Sequence, residues 1–470
     1  MGGISNVVFV TVDCWRYDRC GFNGYHNRTT PVLDSLASNS LIFSNAFATG
    51  SYTPESFPGI MAGRLGCQSG YVSQVEWKSI PNGAETIASR LNDAGLNTVA
   101  TVSNPHLTRD RNYDSGFQSF RNLRIKKDGQ KYTNQERESS LLATIAGPAQ
   151  SRLRSFLKNS STNFAKRLLI PLFVGYRIYQ QYWDWPTVSG EEVVSAFIED
   201  IESTESPLFA WTHLMDLHGP LNADRINKGG FERGAIRQYL NDGHRVQDDF
   251  APVQSRRYDA AVQYVDEQIG RIVEELKDSG KWDETALIVT GDHGEALADR
   301  GVYGHPRHYM YDELLRVPLL VRAPGRDHET HRMPFSLGWM GELVSDLLRV
   351  EPPDMPLLTG SGALEADGDS DTFIISDSLS SEGHSVSVRD RSNKWITHFE
   401  GETEYEYDSG GTYRWQSDRG EQNMLSQDAM ASPLADRAEE LRTAPGELES
   451  AGDNIDSSVQ SRLSELGYID

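Results

Sequence analysis

Cysteine is scarce in this sequence, and long apolar runs are absent from it. The 470 residues include three cysteines, Cys14, Cys20 and Cys67, an odd number without the paired spacing of metal ligands. A disulfide-stapled fold is thereby excluded, and reduced thiols in a cytosolic protein are expected. No stretch reaches the ~18 apolar residues of a membrane span, and LLIPLFVGY at 168–176 is too short to cross. The N-terminal residues also lack the basic and apolar regions of a secretory signal.

Positive charge is also in short supply. The sequence has 45 Lys and Arg against 68 Asp and Glu, a net charge of −23, and only ten of the basic residues are lysines. Such a surface repels polyanions, so general nucleic-acid binding is excluded. Acidity with little lysine predicts adaptation to high salt, where the mutual repulsion is screened. The charge says little about the substrate.

Short apolar runs alternate with amphipathic segments along the first 350 residues. This pattern predicts an α/β fold, a mostly parallel sheet with helices on both faces. After residue 350 the short alternating segments predict a small C-terminal α+β subdomain, so we expect a catalytic domain over 1–350 and this subdomain over 351–470. Strands are expected at 6–12, 97–102, 208–214, 286–290 and 317–321, helices at 84–94, 190–203 and 255–277, C-terminal strands in TFIISD, HSVSVRD, KWITHFE and EYEYD, and a closing helix in VQSRLSELGY.

One region, residues 119–185, departs from the acidic composition. Between Ser119 and Arg177 there are twelve Lys and Arg against three Asp and Glu, followed by an apolar and aromatic stretch. One interpretation is a helical insertion packed on the core. The other is a substrate lid or an interfacial element that docks on anionic lipid or a polyanionic glycan. The second interpretation predicts a cytoplasmic protein in peripheral contact with the inner face of the membrane.

Polar side chains of the types that bind metals and phosphates follow several predicted strands. Open α/β sheets bind ligands outside the carboxyl ends of their strands, so we expect these side chains to share one site. Each alone is a weak signal, because Asp is common after strands and a lone His is usually structural. The residues are Asp13 after the first strand, Asp216 and His218 after LFAWTHL, Asp292 and His293 after ALIVT, and His305 soon afterwards.

The stretch GSYTPESFPGIMAG at 50–63 places a threonine at the start of a predicted helix. Thr53 can cap this helix by accepting a hydrogen bond from the N–H near Ser56, with Pro54 at the first helical position. The free N–H groups of the same helix end would also gather anions beside the hydroxyl. A hydroxyl held there by a divalent metal would be an activated nucleophile. Both interpretations stay open at this point.

Several stretches match, in order and spacing, the sulfatase branch of the alkaline phosphatase superfamily, and the sequence resembles that family over most of its length. The resemblance implies an alkaline phosphatase-like fold and a metal-held nucleophile that forms a covalent intermediate with phosphorus or sulfur. The stretches are NVVFVTVDCWRYDRCGFNGYHNRTTPVLDSLA, TPESFPGIMAG, MDLHGP, YDAAVQYVDEQIGRIVEEL, TGDHGEALADRGVYGH, YDELLRVPLLVRAPG, DRGEQNML and LSELGY.

The resemblance also implies roles for individual residues. One divalent metal ion would be bound, Thr53 would both complete its shell and attack the substrate, and two histidines would contact substrate oxygens, one of them as general acid. Asp216 would support the substrate site, or bind a second metal if there is one. The implied metal ligands are Asp13, Thr53, Asp292 and His293, the implied catalytic residues are Thr53, His218 and His305, and the implied substrate-binding residues are His218, His305 and Asp216.

The nucleophile position departs from the family pattern. True sulfatases carry Cys-x-Pro-x-Arg, whose Cys becomes formylglycine, where this sequence has Thr53, Glu55 and Phe57. The formylglycine route is therefore closed. Ser51 is the alternative nucleophile if the alignment shifts by two residues.

The first strand end departs as well. Many sulfatases have paired Asp there, where this sequence has Asp13 followed by Cys14, which is either a soft ligand or a packing residue. One carboxylate fewer and one imidazole more favour Mn²⁺ or Zn²⁺ over Ca²⁺.

The expected function is metal-dependent hydrolysis of phosphate or sulfate esters, glycan- or lipid-linked ones among them. Phosphoesters are favoured because Thr-nucleophile relatives typically act on them. Two alternatives stay open, a phosphoryl-headgroup transferase on a membrane-linked glycan or lipid, and a catalytically silent member that binds such a glycan or lipid. The silent alternative is disfavoured because six polar site residues are all retained, namely Asp13, Thr53, His218, Asp292, His293 and His305.

Overall fold

A central sheet of eight strands forms the frame of the molecule. The computed structural model describes residues 3–72, 77–124, 188–219, 221, 251–357, 373–399, 411–415, 421, 423–425 and 433–443. In chain order the strands are β1 Asn6–Val12, β2 Leu41–Phe43, β3 Ala46–Phe47, β4 Gly70–Val72, β5 Trp77–Ser79, β6 Asn97–Val102, β7 Ser119–Asn122, β8 Leu208–Leu214, β9 Thr285–Gly291, β10 Ala296–Leu297, β11 Tyr303–Gly304, β12 Arg316–Val317, β13 Leu319–Arg322, β14 Glu329–His331, β15 Phe335–Ser336, β16 Ile374–Ser380, β17 Gly383–Arg389, β18 Lys394–Phe399 and β19 Gly411–Tyr413. The α-helices are α1 Pro31–Ala37, α2 Thr53–Ala62, α3 Ile87–Asp93, α4 Gly190–Ser203, α5 Ala251–Asp278, α6 Asp312–Leu315, α7 Met340–Leu348 and α8 Pro433–Glu440.

Most strands of the central sheet run parallel, as predicted. The strand order is β14-β2-β13-β9-β1-β8-β6-β7, and β13 alone is antiparallel to its neighbours. The middle strand β1 pairs with β8 on one side and β9 on the other, with Val12 opposite both Leu214 and Gly291. The carboxyl ends of these three strands therefore lie side by side.

The predicted strand at 317–321 is wrong in one respect, because the segment forms two strands, β12 and β13. Pro318 separates them, since proline has no N–H to donate to a ladder. Its carbonyl instead accepts hydrogen bonds from the Gly291 N–H at 3.3 Å and the Thr290 hydroxyl at 2.8 Å. This contact ties the break to the end of β9.

Helices cover both faces of the sheet, as the alternation of apolar and amphipathic segments predicts. Along β1, Val7 and Phe9 belong to one buried apolar cluster and Val8 and Val10 to the other. The first cluster includes apolar residues of α2, α3 and α7, and the second includes those of α1, α4 and α5. Because side chains of a strand alternate between faces, one buried strand contributes to two cores.

The helix predictions hold at the level of elements and shift at some ends. The helix at 190–203 has the predicted bounds, and the one at 255–277 extends to Ala251–Asp278. The helix predicted at 84–94 is shorter, because Thr86 accepts a hydrogen bond from the Ser89 N–H at 3.0 Å and so caps it.

The C-terminal segment contains an antiparallel sheet in the order β16-β17-β18-β19. Three of its strands were predicted, and helix α8 was not. Its strand β16 contacts the segment before α2, where the Asp377 N–H donates to the Thr49 carbonyl at 2.9 Å and the Ser376 hydroxyl to the Ala48 carbonyl at 2.6 Å. The predicted boundary at residue 350 stays a prediction.

Other predictions fall outside the described residues. These are most of the basic region at 119–185, the strand in EYEYD and the closing helix in VQSRLSELGY. Within the part of the chain that the structure describes, every helix is too short or too polar to cross a membrane. The cytoplasmic location and the contact with a membrane surface remain predictions.

Candidate active site

The site lies at the carboxyl ends of β1, β8 and β9. Asp13 directly follows β1 and Asp292 directly follows β9, and the parallel register brings these two positions together. The Asp13 N–H donates to the Leu214 carbonyl at 2.9 Å, and the Asp292 N–H donates to the Val12 carbonyl at 3.1 Å. The strand ladder therefore continues one residue past each strand end and fixes the backbone from which each carboxylate extends.

Thr53 faces these carboxylates from the start of α2. Its hydroxyl donates a hydrogen bond to Oδ2 of Asp13 at 3.2 Å and lies 3.3 Å from Nε2 of His293. Helix α2 is held against the end of β9 by Ser56, whose hydroxyl donates to the Asp292 carbonyl at 2.6 Å. The structure thus brings together all four predicted metal ligands.

The cap interpretation of Thr53 is wrong. The capping position is occupied by Tyr52, whose carbonyl accepts hydrogen bonds from the Glu55 and Ser56 N–H groups at 3.0 Å each. Thr53 is the first residue of the helix, and its hydroxyl is directed into the site rather than back along the helix. The alternative nucleophile Ser51 lies 3.5 Å from both Oε2 of Glu55 and the Pro306 carbonyl.

The two carboxylates and the imidazole are fully buried. Oδ2 of Asp292 accepts no hydrogen bond from any described residue and lies 3.7 Å from Nε2 of His293. Burial, together with the charge of Asp13, raises the pKa of Asp292 to about 8. Burial also lowers the pKa of His293 to about 4, and its Nδ1 lies 2.8 Å from the Gly294 carbonyl. The ring therefore donates through Nδ1 and keeps a lone pair on Nε2.

This donor set fits a divalent cation. Two buried carboxylates at close range cannot both ionise cheaply, which is why Asp292 holds its proton. A cation bound between them would displace that proton, compensate both negative charges and bind to the unpartnered Oδ2 of Asp292. Carboxylate oxygens with a neutral imidazole nitrogen are ligands that Mn²⁺ and Zn²⁺ accept.

Two further histidines lie next to this cluster. The ring centroids of His218 and His305 are 4.8 Å apart, and those of His305 and His293 are 5.0 Å apart. Nδ1 of His305 lies 2.7 Å from Oε2 of Glu295. Burial alone would lower the pKa of His305, but the Glu295 carboxylate outweighs it and raises the pKa to about 9, whereas burial lowers the pKa of His218 to about 4. A charged and a neutral imidazole therefore stand side by side at neutral pH.

Asp216 has a structural contact that the sequence did not predict. Its Oδ1 accepts a hydrogen bond from the Gly190 N–H at 3.1 Å, so it helps to hold the start of α4. A role in substrate binding remains a prediction for this residue.

The sequence analysis missed two residues that surround Asp13. Nδ2 of Asn104 donates a hydrogen bond to Oδ2 of Asp13 at 3.1 Å, and Nε2 of His213 lies 3.4 Å from the same oxygen. Asn104 comes two residues after β6, so the strand-end rule was available to find it. His213 lies inside β8, opposite Thr11 of β1, and the signal for it was a polar residue in an otherwise apolar strand.

The sequence model of the Sulfatase family matches residues 5–341, and the chain belongs to this family. An arylsulfatase of Clostridium perfringens is 23% identical over 458 residues, covering 89% of this chain and 86% of the relative. The Sulfatase family includes sulfatases and other hydrolases of the alkaline phosphatase superfamily. These proteins are ester hydrolases that use a divalent metal ion.

Two solved structures share the fold. The phosphonate monoester hydrolase of Agrobacterium radiobacter superposes with a TM-score of 0.63 at 17% identity, covering 93% of this chain and 94% of that one. The phosphonate monoester hydrolase of Silicibacter pomeroyi gives a TM-score of 0.62 at 18% identity, with the same coverage of 93% and 94%. The alkaline phosphatase-like fold is thereby confirmed.

Proposed function

We propose that this protein is a metal-dependent hydrolase of phosphoric or phosphonic esters, with Thr53 as the nucleophile. The observation that carries the proposal is the position of the Thr53 hydroxyl, within 3.3 Å of both a carboxylate of Asp13 and the free nitrogen of His293. A hydroxyl that only capped the helix would be directed at the first N–H groups of that helix instead. The resemblance in fold to two phosphonate monoester hydrolases supports the substrate class.

The proposed ligands of the metal are Asp13, Thr53, Asp292 and His293. A divalent cation bound there would lower the pKa of the hydroxyl and offset charge on the substrate. Mn²⁺ or Zn²⁺ is favoured over Ca²⁺ because one donor is an imidazole nitrogen. His213 and Asn104 contact Asp13 and would orient it.

The chain's own residues carry the proton transfers. Oγ1 of Thr53 attacks phosphorus, its proton passes toward Oδ2 of Asp13, and the bond from phosphorus to the leaving oxygen breaks. His305, charged and held by Glu295, donates a proton to that oxygen. Water then attacks the phosphothreonine and His305 accepts its proton. The bond from phosphorus to Oγ1 breaks, and the proton held by Asp13 returns to Oγ1, which restores the Thr53 hydroxyl. Neutral His218 contacts a substrate oxygen beside it.

The test measures turnover of three chromogenic esters by the purified protein: p-nitrophenyl phosphate, bis-p-nitrophenyl phosphate and p-nitrophenyl sulfate. We expect p-nitrophenyl phosphate or bis-p-nitrophenyl phosphate to be hydrolysed with Mn²⁺ or Zn²⁺, and activity to disappear with a chelator. Thr53→Ala should abolish turnover and Thr53→Ser should retain part of it, whereas Ser51→Ala, the matched control, should be active. Mass spectrometry of quenched enzyme should find the phosphoryl group on the peptide that contains Thr53. Activity that survives in Thr53→Ala would contradict the assignment.

Sulfate-ester hydrolysis is the second candidate, and the likeness to an arylsulfatase favours it. Turnover of p-nitrophenyl sulfate well above that of both phosphate esters would select it. Activity on none of the three esters, with no metal bound, would instead select the catalytically silent alternative. A transferase would hydrolyse slowly and accelerate when an alcohol acceptor is added.

A further inference from the structure

Cys14 lies beside the proposed metal ligands, with its thiol directed toward them. Sγ donates a hydrogen bond to Oδ1 of Asp13 at 2.8 Å and lies 3.5 Å from Nδ1 of His305. Sγ and one ring nitrogen each of His293 and His305 lie within 4.8 Å of one another. Sulfur and imidazole nitrogen are the donors that Zn²⁺ and Co²⁺ prefer.

The backbone of Cys14 is not that of an ordinary packing residue. Its φ is 61°, a left-handed conformation that is uncommon for residues other than glycine. The Cys14 N–H donates to Oδ1 of Asp292 at 3.3 Å, and its carbonyl accepts a hydrogen bond from the Tyr258 hydroxyl. In a continuing strand, Asp13 and Cys14 would point to opposite faces of the sheet. The turn at Cys14 instead brings both side chains to one cluster.

A second observation in the same cluster points to a cation. Oδ2 of Asp292 is fully buried and accepts no hydrogen bond from the residues that the structure describes. A buried polar oxygen without a partner is costly, and a bound cation is one way to compensate that cost. The other oxygen of Asp292, Oδ1, accepts the hydrogen bond from the backbone N–H of Cys14. Cys14 and the unpartnered oxygen therefore belong to one site.

We propose that the Cys14 sulfur is a ligand of the divalent cation and makes the site select Zn²⁺ and Co²⁺ over Ca²⁺. The inference rests on the metal site of the proposed function. Binding would release the thiol proton to solvent and leave a thiolate bonded to the cation. The site would then combine a sulfur, a nitrogen and carboxylate oxygens, where many sulfatases have a second carboxylate.

Cobalt titration of the metal-free protein tests this proposal. Bound Co²⁺ gives visible d–d absorption whatever its ligands, and a thiolate ligand adds charge-transfer absorption in the near ultraviolet. We expect both absorptions in the wild type. Cys14→Ser should keep the visible absorption, which also shows that the site still folds, and lose the near-ultraviolet absorption. Cys14→Ala serves as a second variant with the same expectation.

Cys67→Ser is the matched control, because Cys67 also lies within 4.8 Å of possible ligands, Asp377 and His384. It should keep both absorptions. Loss of the near-ultraviolet absorption in Cys67→Ser and its survival in Cys14→Ser would overturn the proposal. Visible absorption without charge transfer in the wild type would overturn it and leave the proposed function intact. Failure to bind any cobalt or zinc would overturn both.

Metal affinity provides an independent readout. Cys14→Ser should bind Zn²⁺ more than about tenfold less tightly than the wild type, since loss of a direct ligand costs at least as much as loss of a supporting contact. Its affinity for Mn²⁺ should change much less, because Mn²⁺ gains little from sulfur. Equal losses for the two ions would show that Cys14 only supports the fold of the site.

Discussion

Glu295 shows how one residue can set the chemistry of another in this site. It is buried, and its Oε2 lies 2.7 Å from Nδ1 of His305, on the side of the ring away from a substrate bound through Nε2. The pair has the geometry of a general acid and the group that orients it. Glu295 is therefore a positioning residue in the proposed mechanism.

Glu295→Gln should slow hydrolysis by about 100-fold, since general acid catalysis contributes on that order. The loss should be larger for a phenyl ester than for a p-nitrophenyl ester, because p-nitrophenolate leaves with little need of a proton. Steady-state kinetics on the two esters measures this difference. Glu295→Asp, which keeps the charge, is the control, and an equal loss for both esters would show that Glu295 only maintains the fold.

The central site residues could be predicted from the sequence, and their surroundings could not. Asp13, Asp292 and His293 follow apolar strands, so local pattern and the strand-end rule place them together. His213 sits inside such a strand, where a polar residue is usually bonded within the core, and its contact with Asp13 depends on the register of two distant strands. Glu295 follows His293 by two residues, and nothing in the local sequence marks it as a site residue. Its role depends on the contact with His305, which forms only in the folded chain.

Helix α1 shows a dependence between elements that are distant in sequence. Its first N–H groups receive no side-chain cap from Thr30. Instead, Asp266 of α5 accepts hydrogen bonds from the Val32 N–H at 2.8 Å and the Leu33 N–H at 3.0 Å. One helix thus caps another.

Asp266→Ala should lower the free energy of unfolding by about 2 kcal/mol, the cost of losing a cap and leaving buried donors unpaired. Asp266→Asn, which keeps one acceptor, should lose less. Urea unfolding followed by circular dichroism measures both. Asp278→Ala, at the other end of α5, is the control and should stay close to the wild type. A stable Asp266→Ala variant would mean that water replaces the carboxylate.

Some element bounds were predictable from the local sequence pattern, and the start of helix α2 was not. Strands β1, β6 and β8 have the predicted bounds, and in each case a polar residue follows within two positions of the last strand residue. Helix α2 starts one residue earlier than the cap interpretation of Thr53 implied, and that interpretation arose because Thr at a helix start favours the cap in isolation. The Thr53 hydroxyl faces the site because α2 packs against the end of β9, and the local sequence does not reveal that packing.

At the scale of the whole molecule, Asp377 joins the C-terminal sheet to the N-terminal part of the chain. Its carboxylate accepts hydrogen bonds from the Gly66 and Cys67 N–H groups at 2.7 and 2.8 Å and lies 3.3 Å from Nε2 of His384. Burial alone would raise the pKa of Asp377, but the contacts with His384 and the two N–H groups outweigh it and lower the pKa below its ordinary value.

Asp377→Asn should lower the free energy of unfolding at pH 7 by about 3 kcal/mol, as for a buried hydrogen-bonded charge. Because the folded pKa is lowered, the carboxylate's contribution is present above the unfolded pKa of about 4. It is lost as the pH falls through the folded pKa, so the difference from the wild type should shrink below about pH 4. Urea unfolding at pH 7 and at acid pH checks this, with the exposed Asp436→Asn as control. A difference that does not depend on pH would contradict it.

From the net charge of −23 we predict that the stability of the whole chain depends on salt. Screening lengths fall from about 10 Å at 0.1 M to about 3 Å at 1 M salt, which removes most repulsion between surface carboxylates. We expect the melting temperature to rise steadily with KCl from low to molar concentration. Choline chloride at matched ionic strength is the control for specific effects of potassium. A flat or falling melting temperature would contradict the prediction of salt adaptation.

The middle position of β1 has a consequence for synthesis of the chain. This strand is synthesised before both of its partners, which begin at residues 208 and 285. An apolar segment must therefore stay without either partner until residue 208 has been made, and pairing so distant in sequence is slow. A nascent chain stalled before residue 208 should be held by chaperones through β1, and release should follow translation past β9.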